Sequence, residues 1–192
     1  MEPLASKIRP KTLEEFVGQE HLAGESRPIN IAIKQKHLFS FIFWGPPGTG
    51  KTTLAKIYAN SLSAKIYELS AVSAGKDDIK KILNEDSGGI PKVLFLDEIH
   101  RFNKSQQDVL MPDVEAGNPV LIGTTTHNPF FYVNNALLSR SQVFEFKKLA
   151  DSDIINIMKR ALNDKEIGLG KIPIEISDEA LKHLAKTSEG DA

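Results

Sequence analysis

Gly45-Pro46-Pro47-Gly48-Thr49-Gly50-Lys51-Thr52 decides the reading of this chain. These residues fit GxxxxGK[ST] at every fixed position, and the physical demand behind that pattern is specific. Phosphate oxygens need several converging backbone N–H groups, which glycines let a turn present without side chains in the way. The turn must also open onto a helix N-terminus, whose dipole favours the same anion. The flanks provide that setting: Phe39–Trp44 reads as a buried strand, and Thr52–Leu62 as a helix with Leu54, Ile57, Tyr58 and Leu62 turned inward. In such a loop Lys51 reaches β- and γ-phosphates and Thr52 offers its hydroxyl to magnesium. Gly45, Pro46, Pro47, Gly48, Thr49, Gly50 and Thr53 complete the cradle. A chance glycine-rich turn is the bland alternative; with glycine near 7% of residues, a full match arises in under about one percent of chains this long.

Downstream, Val93-Leu94-Phe95-Leu96-Asp97-Glu98 is too short for a helix and too apolar to be exposed, so it reads as a central strand ending in two acids. Open α/β folds bind ligands at the carboxyl edge of the sheet. There Asp97 can hold magnesium through water and Glu98 can polarise an attacking water. Paired acids after a strand are by themselves more often solvated surface; about 45 residues after a phosphate loop they take the metal and water roles. Ala64–Leu69, Pro119–Thr125 and Val143–Phe146 supply further strands, with a helix over Asp77–Asn84. This alternation predicts a parallel sheet with helices on both faces.

Upstream, Thr12-Leu13-Glu14-Glu15 has the form of a capping box and predicts a helix start, and Pro28–Lys36 predicts a second helix. Asn103-Lys104-Ser105-Gln106 is another capping box, and Pro112 should break the helix that follows it. After Lys148 the strands stop, and Asp151–Leu162 and Asp178–Lys186 read as helices. The expected organisation is a nucleotide-binding core over residues 1–149 and the beginning of a helical region over 150–192.

Composition narrows the class further. The chain has 192 residues, 41% hydrophobic and 26% charged, with a net charge of −1 and no cysteine. Disulfides, thiolate zinc sites and a cysteine nucleophile are excluded. The five histidines, His21, His37, His100, His127 and His183, never fall at a metal-ligand spacing such as HxxxH. No apolar run approaches a membrane span, and no secretion signal is visible near Met1, which reads as the natural start. A soluble, cytoplasmic protein is the expectation. The balanced charge leaves no electrostatic footprint for nucleic acid.

A GTPase would carry NKxD, which Asn103-Lys104-Ser105-Gln106 lacks, and no arginine-rich lid of a nucleotide kinase lies between Arg101 and Arg140. The Asp97-Glu98 pair points instead to AAA+ ATPases. Arg9-Pro10-Lys11-Thr12-Leu13-Glu14-Glu15-Phe16-Val17-Gly18-Gln19-Glu20-His21-Leu22 resembles the adenine-side box of clamp-loader-type members. Asp97–Asp108, Thr124-Thr125-Thr126-His127-Asn128-Pro129-Phe130-Phe131 and Leu137-Leu138-Ser139-Arg140 together resemble the RarA family, which includes MgsA and the Werner-helicase-interacting protein. The resemblance covers Pro3 to Ala192.

The resemblance implies an AAA+ P-loop NTPase fold, a parallel αβα sandwich followed by a partial helical lid. It implies hydrolysis of ATP to ADP and phosphate with Mg²⁺. Arg9, Pro10, Phe16, Val17 and Gly18 match the residues that enclose adenine. Thr125 or Thr126 matches the sensor 1 position, with Asn128 a third candidate. Arg140 matches an arginine finger that completes a neighbouring subunit's site. Ser70, ending the second strand, matches the polar residue that restrains the catalytic glutamate in some relatives.

Absences discriminate within the superfamily. Ala71-Val72-Ser73-Ala74-Gly75 lacks the pore-loop aromatic of unfoldases. Ala116-Gly117-Asn118-Pro119 is too short for the β-hairpin that branch-migration motors insert before sensor 1. Glu189-Gly190-Asp191-Ala192 resembles the stretch just before the sensor 2 arginine, so the chain reads as a piece of a longer protein.

The implied partners are DNA at stalled forks or single-strand/duplex junctions, single-strand-binding protein, and further copies of the chain, with a cytoplasmic, nucleoid-associated location. A clamp-loader subunit, or an ATP-binding scaffold with negligible turnover, is the alternative function.

Overall fold

The structure, a computed structural model, describes residues 3–71 and 74–192. Three short helices, α1 (Leu4–Lys7), α2 (Glu20–Ala23) and α3 (Pro28–Lys34), precede the sheet. Strands and helices then alternate: β1 (Phe41–Trp44), α4 (Lys51–Ser61), β2 (Lys65–Ser70), α5 (Lys76–Asn84) and β3 (Lys92–Asp97). A 3₁₀ turn over Ile99–Arg101 leads into α6 (Lys104–Glu115) and β4 (Val120–Thr125). A second 3₁₀ turn over Pro129–Phe131 leads into α7 (Asn135–Ser139) and β5 (Gln142–Glu145). After β5 come α8 (Asp151–Asn163) and α9 (Asp178–Thr187), which pack on each other, with no further strand among the described residues.

The five strands lie in the order β2-β3-β4-β1-β5, and every pairing is parallel. The αβα sandwich expected from the alternation is the observed fold. After β1 the chain jumps to the far edge at β2 and returns through β3 and β4 to lie beside β1. The order reverses there, which is where open α/β sheets form their ligand crevice. Trp44 pairs with Thr125, and Leu96, one residue before Asp97, pairs with Gly123, so β1, β3 and β4 end at one edge.

Residues of the interior strands alternate between two cores, as a sheet covered on both faces requires. Phe41, Phe43, Val93, Phe95 and Ile122 face α3 and α4, burying Ile29, Leu54, Ala55 and Tyr58. Ile42, Leu94, Leu96 and Leu121 face the other way and pack against Ile79, Leu110, Val114 and Leu137 of α5, α6 and α7. A cluster of Leu149, Ile154 and Ala185 forms a separate small core with α8 and α9. The four side chains expected inward, Leu54, Ile57 and Tyr58 of α4 and Leu62 just beyond its end, are all buried.

Two expectations need correction. Thr12–Glu15 does not start a helix. The segment is a turn in which the Lys11 amide, not that of Thr12, donates to Glu15 Oε2 (2.9 Å). The chain cannot carry a helix on from there, because it leaves through Gly18 and Gln19, both with positive φ. Pro112 does not break its helix either: α6 runs on to Glu115, and the Ala116 amide donates to the Pro112 carbonyl (3.0 Å). Pro112 lies in the last turn, where one missing amide removes a single bond near the helix end. The Asn103–Gln106 capping box is present in full, with both reciprocal bonds at 2.9 Å. In the Ala71–Gly75 loop, Val72 and Ser73 lie outside the described residues, as does Met1.

Candidate functional site

At the shared strand edge a cavity of about 350 Å³ opens between the phosphate-type loop, the N-terminal segment and α8. Its lining brings together Arg9, Pro10, Phe16, Val17, Pro47, Gly48, Thr49, Gly50, Lys51, Thr52, Thr53, Asp97, Glu98 and Thr126 from the sequence reading. The loop needs its glycines for geometry. Gly48 and Gly50 have φ of 63° and 93°, in the left-handed region that L side chains avoid. A Cβ at Gly50 would press on the Phe16 ring at 2.9 Å, and one at Gly48 would collide with the Asp191 carboxylate.

Gly45 and Pro46 do not line the cavity, but they hold Lys51. The Nζ of Lys51 donates to the carbonyls of Gly45 (3.0 Å) and Pro46 (2.6 Å). Burial lowers the Lys51 pKa below the ordinary lysine value, while Glu98, Asp97 and Asp191 pull it back up. Gly18 also lies outside the cavity. A side chain there would strike Leu149 beside Asp153, so this glycine permits close packing against the start of α8.

Asp97 ends β3 with its carboxylate on two hydroxyls. Thr52 Oγ1 lies 3.5 Å from Asp97 Oδ1, and Thr124 Oγ1 donates to the same oxygen. Glu98 follows in a left-handed conformation (φ 55°, ψ 51°) and lines the cavity with its side chain 35% exposed.

The two sensor candidates separate by strand alternation. Thr126 lines the cavity, whereas Thr125 is fully buried and its hydroxyl lies 2.9 Å from His100 Nδ1. Thr125 is thus turned away from the cavity. Asn128 is occupied as a cap, accepting from the Phe130 amide (3.1 Å). Arg140 lies outside the cavity, half exposed, 3.3 Å from Glu115 and hydrogen-bonded to Ser139. Ser70 stands beside Asp97 in the β2–β3 register.

Several residues of the site escaped the sequence reading. Gln19 is buried and ties three segments: its amide donates to the carbonyls of Thr49 (3.4 Å) and Lys147 (2.6 Å), and it accepts from the Lys147 amide (2.9 Å). Arg160 of α8 lines the cavity and donates to the Glu15 carbonyl (3.0 Å) and carboxylate (3.1 Å). Ile8, Leu149 and Ile157 make the end beyond the loop apolar, and Ala192, whose amide donates to Gly48 O (3.2 Å), reaches the loop itself. No local motif marks these residues, since each meets its partners across long stretches of chain.

A phosphate-type loop, a strand-end Asp-Glu pair and an apolar cavity end on a 2-3-4-1-5 sheet find direct counterparts among known proteins. Residues 8–128 match the family model described as the Holliday junction DNA helicase RuvB P-loop domain. The chain belongs to that family.

Beyond it, Replication-associated recombination protein A of Coxiella burnetii is 48% identical over 99% of the chain, and that of Escherichia coli (strain K12) is 43% identical over 100% of the chain. ATPase WRNIP1 of Dictyostelium discoideum is 42% identical over 99% of the chain. The chain spans 44% of each bacterial relative and 22% of the Dictyostelium protein. Among solved structures, the Thermotoga maritima RuvB Holliday junction branch migration motor matches with a TM-score of 0.76 and 32% identity. That match covers 96% of this chain and 61% of that one.

The RarA resemblance and the α/β AAA+ fold read from the sequence both stand, and the P-loop domain places the chain among nucleotide-binding ATPases. Among the described residues no helix is long and apolar enough to cross a membrane.

Proposed function

We propose that the chain is the ATP-binding and ATP-hydrolysing module of a replication- and recombination-associated, DNA-dependent ATPase that works at stalled forks or single-strand/duplex junctions. The observation that carries the catalytic part is the meeting of Lys51, Thr52, Asp97 and Glu98 in one cavity. The DNA part rests on the relatives, whose names place them in replication-associated recombination and in branch migration.

Adenine takes the apolar end between Pro10, Phe16 and Val17, and the phosphates take the amides of residues 46–51. Lys51 exchanges the carbonyls of Gly45 and Pro46 for β- and γ-phosphate oxygens, trading two neutral acceptors for charged ones. Thr52 and Asp97 suit Mg²⁺: both are hard oxygen donors, they already approach one another, and this ion keeps several waters rather than needing a protein cage. Bound there, Mg²⁺ would neutralise the charge that develops on the β- and γ-phosphates.

Glu98 accepts the proton of the attacking water, and Thr126 contacts the γ-phosphate or that water. Residues 1–149 form the core. Residues 150–192 begin a lid that closes the cavity through Leu149 at the boundary, with Ile157 and Arg160.

Arg140 points away from its own cavity and completes the site of a neighbouring copy, where such a finger contributes about 10³–10⁵ in rate. Single-strand-binding protein is the expected protein partner of the whole molecule.

Fluorescent ATP-analogue binding with Mg²⁺ and hydrolysis of mixed variants test this. Lys51→Ala weakens binding by about 10- to 100-fold, as loss of a charged hydrogen bond predicts. A mixture of Lys51→Ala, which keeps the finger, with Arg140→Ala, which keeps the site, hydrolyses faster than the two measured separately. Unchanged affinity, or a mixture equal to the sum of its parts, contradicts the proposal.

A further inference from the structure

Glu98 has a close neighbour outside the cavity, His100. Its Oε2 lies 3.1 Å from Nδ1 of His100, whose side chain is 11% exposed. The same nitrogen lies 2.9 Å from Thr125 Oγ1.

The donors at this junction follow from what each group can offer. A carboxylate only accepts. Thr125 Oγ1 accepts from the His127 amide (3.0 Å) and lies 3.3 Å from the His127 carbonyl, an acceptor its one hydroxyl proton can serve. With that proton so placed, Nδ1 of His100 faces two acceptors, Glu98 and Thr125 Oγ1, and the tautomer that serves them carries its proton on Nδ1.

The backbone explains how the two side chains meet. The left-handed turn at Glu98 reverses the chain into the 3₁₀ turn Ile99–Arg101, bringing His100 back toward the carboxylate. A non-glycine residue in that conformation is uncommon and costs local strain, and the buried Ile99 in the core holds it in place.

Behind His100, the His127 ring lies 4.2 Å away and the Tyr132 ring 6.0 Å away, centroid to centroid. The groups facing the imidazole are thus Glu98, Thr125, His127, Tyr132 and, more remotely, Arg101. Burial, with His127 and Arg101 acting in the same direction, keeps His100 below the ordinary histidine pKa against the pull of Glu98. A neutral ring with its proton on Nδ1 fits this surrounding.

We propose that His100 is a positioning residue for hydrolysis: its Nδ1–H holds one oxygen of Glu98 so that the other serves the cavity, and Thr125 acts through His100 rather than on the nucleotide. The inference rests on the reading of Glu98 as the group that activates water. A glutamate side chain has three rotatable bonds, and a base displaced by about 1 Å can lose on the order of 100-fold in rate. The second threonine of the 124–126 run thereby has a task distinct from its neighbours. Thr124 holds Asp97, Thr126 faces the cavity, and Thr125 fixes the tautomer of the histidine that holds Glu98.

The test combines kinetics with a direct reading of the imidazole. Long-range ¹H–¹⁵N NMR of the chain should show His100 as the Nδ1–H tautomer. His100→Ala should lower kcat about 10- to 100-fold while KM and fluorescent-nucleotide affinity stay within about two-fold. In His100→Asn the amide nitrogen stands as many bonds from Cα as Nδ1 does, so this variant should recover a substantial part of the loss. Thr125→Val should lower kcat in the same direction with nucleotide affinity unchanged. An Nε2–H tautomer, an Ala variant within about two-fold of the parent kcat, or an Asn variant no better than Ala overturns the proposal. Glu98→Gln separates the two levels. If it hydrolyses like the parent, the reading of Glu98 has failed. If it is inactive while His100→Ala is not, the positioning role alone has failed.

Discussion

Lys51 and Tyr58 stand about two helical turns apart on α4 and show how single residues divide between function and stability. Lys51 is buried against a lowered pKa because the loop needs a charge at that point. Tyr58 is fully buried with its hydroxyl donating to His37 O (2.8 Å) and accepting from the Phe39 amide (3.1 Å), and burial raises its pKa to about 12. The sign of its pH dependence follows. The unfolded phenol loses its proton near pH 10 and the folded one near 12, so stability falls as pH rises through that window, by up to about 2–3 kcal/mol. Tyr58→Phe should be less stable than the parent at pH 7, by about 1–2 kcal/mol for the lost bonds, yet lose less between pH 10 and 12. Urea unfolding at pH 7, 10 and 11.5 checks this, and parallel curves for the two proteins would refute it. The site residues legible in the sequence, Lys51, Thr52, Asp97 and Glu98, were those whose chemistry depends on short spacing. The threonine register was not legible, because three identical residues in a row carry no pattern by which strand alternation can be read.

The elements of the sheet were legible because each interior strand is a short apolar run between turn residues. What escaped was how the connections are tied. Gln107 of α6 is 1% exposed, and its amide donates to the carbonyls of Phe102 (2.8 Å) and Tyr132 (3.1 Å) while its carbonyl accepts from the Asn134 amide (2.7 Å). One side chain thus pins the turn after Glu98 to the aromatic turn before α7. Gln19 does the same for the phosphate loop and the end of β5. Such ties read in sequence as ordinary polar positions, since their partners are backbone carbonyls that any residue could supply. Gln107→Ala strands two buried carbonyls and an amide, which should cost about 2–4 kcal/mol and lower Tm by roughly 5–10 °C. A calorimetric shift of less than about 2 °C would show that the tie is not needed. The misread turn at Thr12–Glu15 belongs to the same scale. Its local signature was that of a helix start, but the long-range bond from Arg160 uses Glu15 to clamp α8.

For the whole molecule, near-neutral charge and the absence of cysteine bounded the class without naming it, and one glycine-rich loop in its strand-and-helix setting did most of the rest. The parallel order β2-β3-β4-β1-β5 brings that loop, the Asp97-Glu98 pair and the threonines of β4 to one edge. The segment beyond β5 folds back over the same edge. Its contribution to the cavity, through Leu149, Ile157, Arg160 and Ala192, could not be read from a helical pattern that specifies only which faces are apolar. We propose that this edge hydrolyses ATP with Glu98 as the group that activates water, and the decisive measurement is phosphate release from Mg-ATP under single-turnover conditions, compared between the parent and Glu98→Gln at matched nucleotide occupancy. Glu98→Gln should bind ATP as the parent does and release phosphate at least about 100-fold more slowly; equal rates would contradict the role of Glu98.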